Sequence, residues 1–142
     1  MPKPPVTHDP YDLAERMVEQ AGDTIIFADR DGIIRRWNAA AAALFGFSAA
    51  EALGQSLDLI IPEHLRQAHW RGFHRAIAAG RTRLGGKPTR TRGLHRSGSK
   101  LYVEMSFALV LDDDGRPLGS VAVARDVTDL VAREKAASKP VA

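Results

Sequence analysis

The stretch from residue 100 to 111 restricts the fold more than any other part of the chain. Leu101, Val103, Met105, Phe107 and Leu109 recur at every second position, with polar or smaller residues between most of them. A period of two presses one face of an extended strand against apolar matter and leaves the other face free. Such a strand needs neighbours in a sheet and a cover over its apolar face. Turn chemistry brackets it, with Arg96-Ser97-Gly98 before and Asp112-Asp113-Asp114-Gly115 after. Two further strand-like stretches, about 82–95 and 117–127, lie beyond those turns.

The first half supplies two more strands and the cover. Thr24 to Asp29 is a β-branched and aromatic run that reads as a strand. Arg30-Asp31-Gly32 carries the Asp-Gly hairpin signal, and Ile33 to Trp37 returns. Asn38 caps a short alanine-rich helix, Ala39 to Leu44, which Gly46 ends. Ser48-Ala49-Ala50-Glu51 fits a capping box, closed by Gly54. Ser56 to Ile61 is a short turn stopped by Pro62. The longest helix is expected from Pro62 to Ala79, with proline at its first position and Gly80 past its end. A helix from Asp9 or Asp12 to Gln20, with Leu13, Met17 and Val18 on one side, precedes the strands. A helical exit from Thr128 to Lys139 follows them. The order predicts an α+β fold: five antiparallel strands with flanking helices on one face.

Composition excludes several classes. At 142 residues the chain suits one domain. It has no cysteine, so disulfides, thiolate metal sites and cysteinyl cofactor adducts are ruled out. No run approaches the roughly 18 apolar residues of a membrane helix, and the proline-rich start has no signal-peptide core. The expected setting is cytoplasmic, with no membrane. The formal charge of +3 comes from dispersed residues, Arg66, Arg71 and Arg75 in one segment and Arg81 to Arg96 in another. They read as a solvated basic face, with no nucleic acid as partner.

The motifs, taken together, resemble the PAS family. Gly32-Ile33-Ile34-Arg35-Arg36-Trp37-Asn38, then Leu44-Phe45-Gly46-Phe47-Ser48, Glu51 and Gly54, are similar to the family's N-terminal signature. Arg96-Ser97-Gly98-Ser99 and Arg125-Asp126-Val127-Thr128 resemble its C-terminal ones. The resemblance covers about residues 12–135. It implies a five-stranded antiparallel sheet with a helical flank that holds a small ligand and dimerises. The expected organisation is a flexible segment at 1–11, a PAS sensor domain at 12–128 and a C-terminal signalling helix or tail at 129–142.

One histidine stands apart. On a helical wheel Leu65, Gly72, Phe73 and Ala76 share an arc with His69 at its middle, while Gln67, Arg71, His74 and Arg75 lie opposite. An inward imidazole needs a partner for its nitrogens. It can be a metal ligand, or a core residue bonded to a backbone carbonyl. The segment Pro62 to His69 is also similar to the corresponding helix of the haem-binding PAS sensors of bacterial kinases and phosphodiesterases. That likeness implies haem b, with His69 as the proximal iron ligand and a diatomic gas or a redox change as the signal. It also implies that Leu84, Met105 and Phe107 line the distal side of the haem, and Phe73 is a further expected cofactor-binding residue. Thr89 stands where oxygen-binding members carry an arginine, and Lys87 where one member carries a methionine ligand. Met105 is either a sixth iron ligand or core packing. The alternative reading is a haem-free module that binds an organic molecule or acts in dimerisation. No nucleophile–base pair, metal triad or phosphate loop marks an enzyme; the Asp112–Gly115 run lacks the spacing of an EF-hand. A homodimer and an output domain or partner protein are the expected associates.

Overall fold

The protein is described by a computed structural model, which covers residue 2, residues 10–82 and residues 85–138. In chain order the elements are α1 (Pro10–Gln20), β1 (Thr24–Asp29), β2 (Ile34–Trp37), α2 (Ala39–Phe45), α3 (Ala49–Ala52), a 3-10 turn (Leu57–Ile60), α4 (Glu63–Ala79), β3 (Thr89–Leu94), β4 (Lys100–Leu111), β5 (Pro117–Asp126) and α5 (Thr128–Ser138). The five strands form one sheet in the order β2-β1-β5-β4-β3, and every neighbouring pair is antiparallel. This is the expected α+β architecture. The C-terminal strand β5 is inserted at the centre, between the N-terminal hairpin and the β3–β4 hairpin.

Local chemistry places the elements. Asn38 caps α2, its side chain accepting from Ala41 N–H, and Gly46 ends it in the left-handed conformation at φ 83°. Ser48 and Glu51 make both bonds of a capping box at α3. The Asp29 carboxylate accepts from the Asp31 and Ile33 N–H groups and fixes the β1–β2 turn. Those contacts and the Arg35 guanidinium hold its carboxyl below the usual range, although partial burial acts the other way. The Asp112 carboxylate accepts from the Asp114 and Arg116 N–H groups and fixes the β4–β5 hairpin turn.

Several boundaries differ from expectation. Pro62 is the residue before α4, not its first helical residue; its ψ of 140° is extended. Ile33 lies outside β2 and bridges to Ser56 instead. Strand β3 starts at Thr89 rather than near residue 82, because Gly85 and Gly86 take positive φ and Pro88 has no N–H to offer a ladder. Strand β5 ends at Asp126, and Val127 N–H turns aside to the Tyr102 carbonyl.

The main core lies between the sheet and the helices over its first half. Ile26, Ile34, Trp37, Phe45 and Ala41 are fully buried there. Helix α1 adds little to it. Leu13 and Met17, on the apolar side of that helix, are exposed, and Val18 is half-buried. The helix is tethered instead by the Val18 carbonyl, which accepts from Asn38, and by an Arg36–Glu15 ion pair. Helix α5 folds back along β3 and β4. Its Glu134 takes a two-bond contact from Arg90, and its Lys135 reaches the Tyr102 hydroxyl.

Candidate functional site

The second half of the sheet is hollow. Register aligns inward side chains in rows across it. Thr89, Met105, Ala124 and Thr24 form one row, and Phe107, Ala122 and Ile26 the next. A third joins Leu109, Ser120 and Ala28. The central strand β5 therefore contributes only Ala124, Ala122 and Ser120 to these rows. Helix α4 crosses above, and the missing side-chain volume remains as two adjoining cavities.

The smaller cavity, about 280 Å³, is walled by α4 residues His69, Gly72, Phe73 and Ala76 and by the sheet residues Thr89, Met105, Phe107, Leu109 and Ser120; Thr82 and Lys87 stand at its edge. The larger, about 550 Å³, runs toward the main core and is walled by Ile26, Phe45, Leu57, Ile60, Leu65, Val103 and Ala122. Ala68, His69, Thr89, Met105 and Phe107 border both. Volumes of this order suit a small organic ligand or cofactor. The expected wall residues Phe73, Thr89, Met105 and Phe107 are thus brought together around His69. Leu84 lies outside the described residues.

His69 is held by aromatic packing. The Trp70 ring meets it edge-on at 4.8 Å and the Phe73 ring lies at 6.0 Å. Trp70 is itself anchored, its Nε1–H donating to Asp58 at 2.7 Å, and its ring fills the space beside Gly32 where a Cβ would stand. Gly32, at φ 77°, is needed both for the turn and for this contact. Among the described residues Nδ1 of His69 is buried and has no hydrogen-bond partner. Burial pushes the imidazole below its ordinary value and holds it neutral; nearby Asp58 opposes this and His74 reinforces it. Among the described residues no group of three or more histidine, aspartate or glutamate side chains gathers as a metal site. His69 stands alone among apolar walls.

The remaining candidates are structural. Trp37 is buried and donates to the Phe47 carbonyl. Arg90 reaches Glu134 on α5 and lines neither cavity, whereas Arg92, 5.8 Å from the Tyr102 ring, also borders the larger cavity. Sequence reasoning missed Ser120 and Ala122. Their signal was present, since Ser120, Ala122 and Ala124 put small residues at alternate positions of β5.

No described helix is long and apolar enough to cross a membrane. The family model for the PAS fold matches residues 12–127. The sensor protein FixL of Bradyrhizobium diazoefficiens is 30% identical over 107 residues, covering 75% of this chain and 21% of that protein. The chain spans about a fifth or less of the length of the curated relatives it matches. Among solved structures, the PAS domain of a Colwellia psychrerythraea protein superposes with a TM-score of 0.74 at 21% identity, over 85% of this chain and 99% of that one. An RNA-binding light-oxygen-voltage receptor superposes at 0.72 with 24% identity, over 98% of this chain and 41% of that one. Sheet order, caps and family match agree: the chain belongs to the PAS family of sensor and signalling domains.

Proposed function

We propose that this chain is a ligand-sensing PAS domain whose ligand lies between α4 and the sheet, and that the ligand is haem held through His69. The observation that carries this reading is the His69 imidazole, which is neutral, faces apolar walls and has a buried nitrogen without a partner among the described residues. Neutral imidazole is the form that binds metal, and an unsatisfied buried nitrogen is costly unless something bonds it. The residues present fit the group: His69 on α4 would supply a nitrogen donor, Met105 and Phe107 would supply apolar packing, and the small β5 side chains leave room. The likeness to FixL lends further support. When bound, the iron supplies a site for a diatomic gas or a change of redox state. His69 would hold the group, Trp70 and Phe73 pack on His69 and would fix its angle, and Thr89 would offer a hydroxyl from the cavity wall. A change at Thr89 has a short path outward, because the next residue, Arg90, grips Glu134 on α5. In the same reading the chain acts as a homodimer and passes its signal to an output domain or partner protein.

The haem reading is tested by absorption. Protein purified from haem-supplemented cells is expected to show a Soret band, and His69→Ala to abolish it. A colourless protein that takes up no added haemin would end this reading. A haem-free reading rests on a different observation: the polar groups of Thr82, Lys87, Thr89 and Ser120 border the smaller cavity and suit an oxygenated organic ligand. Mass spectrometry of material extracted from the purified protein separates the two.

A further inference from the structure

The chain from Glu63 to Glu104 holds half of its 20 Lys and Arg residues and not one carboxylate in between. Three of these arginines line a single groove. Arg71 and Arg75 are one turn apart on α4, and Arg81 follows the left-handed Gly80 that ends the helix. The groove holds about 450 Å³ over a floor that includes Ala68, Gly72 and Ala76, and all three arginines are exposed. Other arginines of this protein do find partners, as Arg66 does near Asp58 and Arg90 at Glu134. No carboxylate among the described residues pairs with Arg71, Arg75 or Arg81. The groove adjoins the apolar cavity, and Ala68, Gly72, Ala76 and Thr82 border both. Among the described residues, an added Cβ at Gly72 would meet no atom within 4 Å.

We infer that the groove and the cavity are one amphipathic site, taking a ligand with an apolar body and a carboxylate head. The body lies against Met105 and Phe107, and the head lies among Arg71, Arg75 and Arg81. Guanidinium groups bind carboxylates through two parallel bonds, which suits a head held at a fixed depth. The carbonyl end of α4 carries roughly half a negative charge and opposes an anion, but three guanidiniums outweigh it. The inference rests on the cavity being a ligand site, and it holds for a porphyrin acid or for a free apolar acid alike.

Two arms test it and separate those sources. In the first, protein freed of any haem is titrated calorimetrically with decanoate and with decanol. In the second, haemin and its dimethyl ester are compared by absorption. The acid is expected to bind about tenfold more tightly than its neutral counterpart in at least one arm, the scale of a charge-assisted contact. The double variant Arg71→Gln/Arg75→Gln is expected to erase that preference with an unchanged melting temperature, both residues being exposed. Equal binding of acid and neutral forms, no binding of either acid, or a preference that survives the double variant would overturn the inference. Acid preference in the first arm with no uptake of haemin removes the haem reading and leaves the groove. Equal uptake of haemin and its ester, with no preference for decanoate, removes the groove and leaves the haem reading.

Discussion

Asn38 and His69 are polar side chains placed under the same sheet, and they are treated in opposite ways. Asn38 is 1% exposed, and every hydrogen-bonding group it has is used. Its Oδ1 accepts from the Ile25 and Ala41 N–H groups, and its Nδ2 donates to the Val18 and Asp23 carbonyls, all at 2.9–3.0 Å. One side chain thereby joins α1, β1 and α2. The buried nitrogen of His69 has no partner among the described residues, and the imidazole borders two cavities. Buried polar groups in folded proteins are nearly always bonded, and those that are not need a reason. Among the described residues Asn38 is fully bonded in the packed core, whereas His69 borders a hollow with one nitrogen left over. The two side chains are thus told apart by satisfaction rather than by burial.

Paired substitutions sharpen that contrast. Asn38→Ala removes a helix cap and strands four backbone groups, so a loss of roughly 2–4 kcal/mol is expected in urea unfolding. His69→Leu is expected to act with the opposite sign. It replaces an unsatisfied nitrogen by apolar volume and gains about 1 kcal/mol. A His69→Leu variant destabilised by as much as Asn38→Ala would mean that the imidazole belongs to the core after all.

Acidity separates the two residues again. Burial, against the pull of Asp58, keeps the His69 imidazole below its ordinary value of 6.5. Above that value His69 is neutral in both folded and unfolded chains, and its contribution is whole. Below it the unfolded chain binds a proton that the folded chain refuses. Stability therefore falls as pH drops from 6.5 toward the lowered folded value, and this group adds nothing further beneath it. The advantage of His69→Leu over the parent is expected to widen between about pH 7.5 and pH 5.5. An advantage independent of pH would show that the imidazole titrates normally in the fold.

The closed half was the more legible in sequence, for a physical reason. Its determinants are local: the Asn38 cap, the Ser48–Glu51 box and the Asp29 turn each act within four residues of themselves. Helical periodicity also placed His69 on the inner arc of α4, beside Phe73. The hollow half depends on register between distant strands. Small residues at Ser120, Ala122 and Ala124 are equally compatible with tight packing. Only the pairing of Ala122 with Phe107 and of Ala124 with Met105 shows where volume is missing. The start of β3 failed for the converse reason, because Gly85, Gly86 and Pro88 are local breakers inside a stretch read as extended. The arginine groove was read as a solvated face, since Arg81 joins Arg71 and Arg75 only once Gly80 has turned the chain.

The smallest expected effect bears directly on whether the hollow is kept open. Gly72 sits inside α4, where glycine costs about 0.5–1 kcal/mol relative to alanine. Its backbone is not in the left-handed region, and an added Cβ meets no atom within 4 Å. Gly72→Ala is therefore expected to stabilise the domain by about 0.5–1 kcal/mol and to raise its melting temperature by roughly 2–5 °C. A helix selected for stability alone would hold alanine there, as it does one turn away at Ala68 and Ala76. Glycine at that cost leaves the backbone of α4 bare where the cavity and the groove adjoin. A lower melting temperature in Gly72→Ala would mean instead that the position is already filled by close packing, and the two halves of the domain would then differ less than their cavities suggest.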